Sequence, residues 1–184
     1  MDEKNAPSVE EEFGDEVVEA ESIPGLSELA EQLMLCALDE AKDMLETGGN
    51  CPPLTLIVKG EDIEIETHPG ESILECIASA RVAVLSEQDD SEYYAFCYDG
   101  YVDTDRGHHD ALIVECAKQK EETGHVICCL YNVIDAEGDE LPTFVFDDDL
   151  VYLGETPSFF SKDYSYSGET ELEEEVKVPF KNEQ

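Results

Sequence analysis

From Leu26 onward, apolar residues recur at helical spacing, at Leu29, Leu33, Ala37, Ala41 and Met44, with Ala30, Leu38 and Leu45 beside them. Steps of three and four place these residues on one face of a helix. Ser27 can cap its start, Glu28 and Glu31 suit the positive end of the helix dipole, and Gly48-Gly49 supplies a stop. The pattern predicts an amphipathic helix of about five turns.

After Pro52-Pro53 the period falls to two. Leu54, Leu56 and Val58 alternate with Thr55, Ile57 and Lys59, Gly60 turns the chain, and Ile63 and Ile65 alternate with Glu64 and Glu66. This is the pattern of a hairpin whose second strand has one wet face. Pro69-Gly70 closes it, and Ser72-Ile73-Leu74-Glu75 has capping-box spacing ahead of a second helix, from about Ile73 to Ser86, with Ile77, Ala80 and Val84 or Leu85 inward. Strands are then predicted at Tyr93 to Val102, Ala111 to Lys118, His125 to Ile134 and Thr143 to Phe146, extended by Leu150 to Leu153. HVICCLYNVI is apolar on both parities, as a central strand covered on two faces would be.

The order α-β-β-α-β-β-β-β implies an α+β fold, with both helices packed on one face of a mainly antiparallel sheet. The core-forming pattern spans 23–154 as a single domain. Residues 1–22 are glutamate-rich without sustained apolar periodicity and are expected to form a disordered acidic arm. Residues 155–184 are expected to form an acidic, largely disordered tail, in which Phe159, Phe160, Tyr164 and Tyr166 are candidates for docking on the domain and the run Glu171 to Glu175 stays solvated.

Charge narrows the function classes. With 47 acidic and 10 basic residues the formal net charge is −37. Such a surface repels phosphate groups, which excludes direct nucleic-acid binding and anionic lipid surfaces. It favours instead a basic protein partner, including one whose nucleic-acid site the carboxylates mimic. Seven cysteines, an acidic start after Met1 and no window of about 18 apolar residues point to a cytoplasmic chain with reduced thiols and no membrane span. Cys36 and Cys76 fall near inner helix faces, Cys97 and Cys116 in strands, and Cys51 reads as the most accessible thiol. Cys128 and Cys129, adjacent on a strand, face opposite sides and cannot chelate one ion.

The densest polar stretch is YDGYVDTDRGHHDA, residues 98 to 111, with two histidines, one of the two arginines and four aspartates. The favoured reading runs one strand through Gly100 as a bulge and makes Asp103 to Asp110 the loop into ALIVECA. In that loop Arg106 offsets part of the aspartate repulsion. The competing reading brings His108, His109 and His125 together at a sheet end around zinc or nickel, with Asp103, Asp105 and Asp110 nearby. No HxH or HxxxH spacing supports it, a calcium loop fails for want of a glutamate where Val114 stands, and the expectation is no metal and no cofactor. Asp147-Asp148-Asp149 reads as a solvated turn. Tyr94, Tyr98, Tyr101 and Tyr131, among a wider set with Tyr93 and Phe96, read first as strand packing and second as a partner-binding face that would also serve a homodimer.

The stretch YYAFCYDGYV, followed by DALIVECAKQ and GHVICCLYNVI, resembles small bacterial α+β proteins with a YDGYV…DAxxVE pattern. The resemblance runs through Tyr98, Asp99, Gly100, Tyr101, Asp110, Ala111, Val114 and Glu115, covers roughly residues 26 to 154, and implies one domain without implying an activity. It makes Arg106, Asp110 and Glu115 the first polar groups of interest.

Two functions remain open at this point. The leading one is a non-enzymatic interaction or regulatory module that recruits a basic protein partner; the alternative is a small metal-dependent hydrolase centred on the Asp103–Asp110 loop and His125. For either, self-repulsion at a net charge of −37 must weaken the fold at low ionic strength. The melting temperature is expected to rise from low to high salt in a differential scanning experiment, and an unchanged value would contradict the repulsion.

Overall fold

The computed structural model describes residues 23, 25–165, 169–172 and 177–178. The expected arm over 1–22 and Tyr166 lie outside the described residues. Among the described residues two helices, α1 (Glu28–Gly48) and α2 (Ile73–Ser86), accompany nine strands. These are β1 (Leu54–Lys59), β2 (Asp62–Thr67), β3 (Tyr93–Thr104), β4 (Gly107–Lys118), β5 (Thr123–Ile134), β6 (Thr143–Phe146), β7 (Leu150–Pro157), β8 (Glu169–Leu172) and β9 (Lys177–Val178). One sheet holds them in the order β2-β1-β3-β4-β5-β7-β9, with β6 also on β5 and β8 also on β3. Every pairing is antiparallel except β3 with β8. The fold is α+β in the order read from the sequence, and no helix among the described residues is long and apolar enough to cross a membrane.

The helix ends follow the cap chemistry. Ser27 Oγ accepts from the Ala30 amide at 3.1 Å, and Gly49, at φ 73°, donates its amide to Leu45 O. Ser72 Oγ accepts from the Glu75 amide, but Glu75 reaches back to the Glu71 amide at 3.0 Å, one residue outside the box geometry.

The helices do not share a face, which corrects the packing expected above. Leu33, Met34, Ala37, Leu38 and Ala41 of α1 pack on Leu54, Leu56, Ala95, Cys97, Leu112 and Val114. Ile77, Ala80 and Val84 of α2 pack on Ile57, Tyr94, Phe96, Ala111 and Ile113. These strand residues alternate in sequence, so the two clusters lie on opposite sides of the sheet. The cause is topological. Both β2 and β3 are antiparallel to β1, so they run the same way, and β2-α2-β3 is a crossover over β1 whose handedness commits α2 to one side. The α1 helix, which precedes β1, covers the other. Apolar residues on both parities of β3, β4 and β5 require this double cover.

The expected Asp103–Asp110 loop is also corrected. Strands β3 and β4 pair without a break from Tyr93↔Lys118 to Thr104↔Gly107, so Asp105 and Arg106 alone form the turn and Gly107 takes φ 120°. Gly100 pairs regularly with Ala111 and is no bulge. Aspartate and histidine side chains satisfied by water continue the ladder as well as apolar ones do, so polarity did not end the strand. The bulge lies instead where β7 meets β5, between Val126 and Ile127, with Gly154 at φ 110°.

The packed body continues past residue 154. Strand β7 runs to Pro157, and Ser158 to Tyr164 form a strap over the α2 face. Phe159, with 0% exposure, stacks on Tyr94 at 5.0 Å between ring centres and meets Tyr164 edge-on at 4.9 Å. The Phe159 amide donates to the Tyr94 hydroxyl at 2.7 Å. Arg81 of α2 donates to Phe159 O at 2.7 and 3.2 Å and to Ser161 O at 3.3 Å, while its guanidinium lies over the Tyr164 ring. The backbones of β8 and β9 then rejoin the sheet. Phe159→Ala should cost about 3–5 kcal/mol in urea denaturation, the range for emptying a buried aromatic site; a loss under about 0.5 kcal/mol, the range of surface substitutions, would contradict the strap.

Candidate functional site

The polar hairpin expected to hold chemistry is exposed at its tip, with Val102 buried on the α2 side and His109 half-buried. His108 Nδ1 lies 2.8 Å from Asp103 Oδ1, and the Tyr101 and His108 rings are 4.3 Å apart, all on the α1 side but near the open tip. Asp105 and Arg106 are exposed in the turn, Asp110 is exposed, and His109 turns to the opposite side. His125 pairs with Cys116, seven residues along β4 from His109, a separation of roughly 23 Å at the rise of an extended strand. The three histidines therefore do not converge. Among the described residues no group of three or more His, Cys, Asp or Glu is placed to hold a metal ion. His125 instead sets Nδ1 2.9 Å from the Tyr152 hydroxyl beside a small cavity of about 260 Å³, also lined by Tyr93 and Glu155. Burial first, opposed by Glu155, lowers its pKa.

The tyrosines divide between the faces. Tyr94 and Tyr98 are buried under α2 and the strap, and Tyr131 is buried on the α1 side, where its hydroxyl donates to Asp99 Oδ1 at 2.7 Å. Tyr101 is half-buried on the Tyr131 side. They form no common surface. Burial raises the Asp99 carboxyl, the Tyr131 bond lowers it and Asp110 raises it again. The thiols also depart from expectation: Cys36 is exposed, whereas Cys51 is buried and pushed up to about 12 by burial and then Asp99. The Cys36 thiol is raised as well, by burial and by Asp39 and Glu40, so it is a poor nucleophile at neutral pH. All seven cysteines are free thiols.

A second concavity lies elsewhere, between α2 and the β1-β2 hairpin. It is an open groove of about 780 Å³. Ile57 forms part of its floor, Ala78, Val82 and Ala83 of α2 one wall, and Glu64 and Glu66 of β2 the other, with Glu87 at the end. Val82 is 68% exposed. Lys59 bridges Glu64 and Glu87 at 2.8 Å each, and these partners, Glu64 first, push its pKa up to about 12. Three carboxylates against one ammonium leave the groove negative.

Beneath the groove His68 is almost fully buried between Thr55 Oγ1, at 2.9 Å from Nε2, and Ser79 Oγ, at 3.0 Å from Nδ1. Burial lowers its pKa, opposed by Glu66, so the ring is neutral at pH 7. Each hydroxyl can donate or accept, so the two contacts suit either tautomer of the neutral ring. Glu66 Oε2, 3.6 Å from Nδ1, favours the tautomer with its proton on Nδ1. In both tautomers the trio braces α2 against β1.

Glu115 is the one carboxyl of the expected set that is buried. It projects from β4 toward Tyr94 and Tyr164 under the strap, at 5% exposure. Burial pushes its pKa up to about 8, and the Tyr164 hydroxyl offsets only part of that. Sequence reasoning missed the groove because its carboxylates are ordinary members of a very acidic chain. The available signal was the exposed stripe Leu74, Ala78 and Val82 on α2.

Comparison with family models, with curated proteins and with solved structures gives no match.

Between the ordinary pKa of 4.5 and about 8, the folded protein holds a proton on Glu115 that the unfolded chain has released. This group's contribution is therefore full below about pH 4.5, falls as pH rises to about 8 and is flat above. Glu115→Gln should abolish that component, so in urea denaturation the variant gains on the wild type by a few kcal/mol between pH 5 and pH 9. A constant difference between the two proteins would show that the carboxyl ionises freely in the fold.

Proposed function

We propose that the protein is a non-enzymatic interaction module whose acidic groove between α2 and β2 recruits a basic segment of a protein partner. The observation that carries this reading is the groove itself: exposed apolar area at Ala78 and Val82 lies directly beside Glu64, Glu66 and Glu87. A lysine or arginine can lay its aliphatic stem along such a surface and keep its charge among the carboxylates. The net charge of −37 adds long-range attraction, which speeds encounter and selects basic partners without fixing their register. Specificity then rests in the groove, where apolar and charged contacts alternate over a short distance. The braced His68 and the Lys59 bridges hold its walls in place before a partner arrives, which lowers the ordering cost of binding.

A random peptide library panned against the whole chain at physiological salt tests this. The enriched peptides should combine lysine or arginine with apolar residues and lose at least tenfold in affinity for the triple variant Glu64→Gln, Glu66→Gln, Glu87→Gln. A variant with the same charge loss on α1, Asp39→Asn, Glu40→Gln, Asp43→Asn, should bind as the wild type does. Equal losses in both variants would leave only diffuse charge attraction and overturn the groove as the site.

A further inference from the structure

Strand β2 closes one end of the sheet among the described residues, and all six of its residues are exposed. Its outer row of backbone N–H and C=O groups is a template for another strand. The side chains are coded by face. Lys59 pairs with Asp62 and Ile57 with Glu64, which places Asp62, Glu64 and Glu66 on the α2 side, the last two lining the groove. Ile63 and Ile65, 43% and 46% exposed, pair with Val58 and Leu56 and lie on the α1 side.

Resting on the module reading above, we infer that the partner segment binds as an added β-strand on β2, extended over about six residues and alternating basic with apolar side chains. Residues directly opposite one another in neighbouring strands share a face and interact, so lysines or arginines facing Asp62, Glu64 and Glu66 fall on the groove side. The intervening apolar residues then cover Ile63 and Ile65 on the other side. Main-chain hydrogen bonds supply affinity and the alternation supplies register. The same code rejects a second copy of this chain. Two β2 edges joined in one continuous sheet would set carboxylates directly against carboxylates, an arrangement that destabilises strand pairing.

The probes are three heptapeptides: one alternating lysine and valine, one of the same composition with lysines and valines in separate blocks, and the alternating peptide N-methylated at every second amide. Affinity is measured by fluorescence anisotropy against the whole chain at physiological salt, with amide hydrogen exchange as a second readout. The alternating peptide should bind at least tenfold more tightly than either control, slow exchange across Asp62–Thr67, and lose its advantage against Glu64→Lys, Glu66→Lys. If all three peptides bind equally, yet weaken with the triple glutamine variant, strand addition is overturned while the groove remains the site. If none of them responds to those carboxylates, both readings fall.

Discussion

An antiparallel sheet that is apolar on both faces must be covered twice, and the rest of this structure follows from how unequally that is done. The 21-residue α1 is long enough to cover the central strands on its side. The 14-residue α2 is not. The remaining area over Tyr94, Phe96 and Glu115 is closed by the strap, with Phe159 filling the gap and Arg81 tying strap to helix. Burying three or four aromatic rings there is worth several kcal/mol, enough to decide whether a marginally stable domain holds together.

The same division of cover leaves the groove. Because the strap lies over β3 and β4, nothing described shields the strip between α2 and β2. The wall there is braced by a buried imidazole bonded through both ring nitrogens and by one lysine shared between two glutamates. Glu115 shows the opposite use of a carboxyl. Burial under the strap pushes its pKa up to about 8, because ionisation there would leave a charge out of water.

Element types and order were legible because period, caps and turn residues agreed at nearly every boundary: Ser27 and Gly49 for α1, Gly60 for the first hairpin, both parities of HVICCLYNVI for a central strand. The side of the sheet that each helix takes was not legible, since it depends on the handedness of a crossover and not on any residue. The Asp103–His109 ribbon was misjudged because hydrophobic period reports burial, and a strand that projects beyond the helices has none to report. Phe159 and Phe160 were recognisable as docking candidates, but their glutamate-rich surroundings concealed that the domain continues beyond them. Of the site, Glu115 and the aromatic residues were named, while the groove was invisible because it arises where two distant segments leave a gap.

Unequal cover predicts an order of local opening. Amide hydrogen exchange on the native chain, followed by mass spectrometry, reads that order directly. Amides of the buried part of β4, residues 111–117, and those of Phe159 and Ser161 should exchange only with global unfolding, and those of β2 that face outward should exchange orders of magnitude faster. Loop-like exchange at Phe159 and Ser161 while β4 stays protected would contradict a strap that closes the second face.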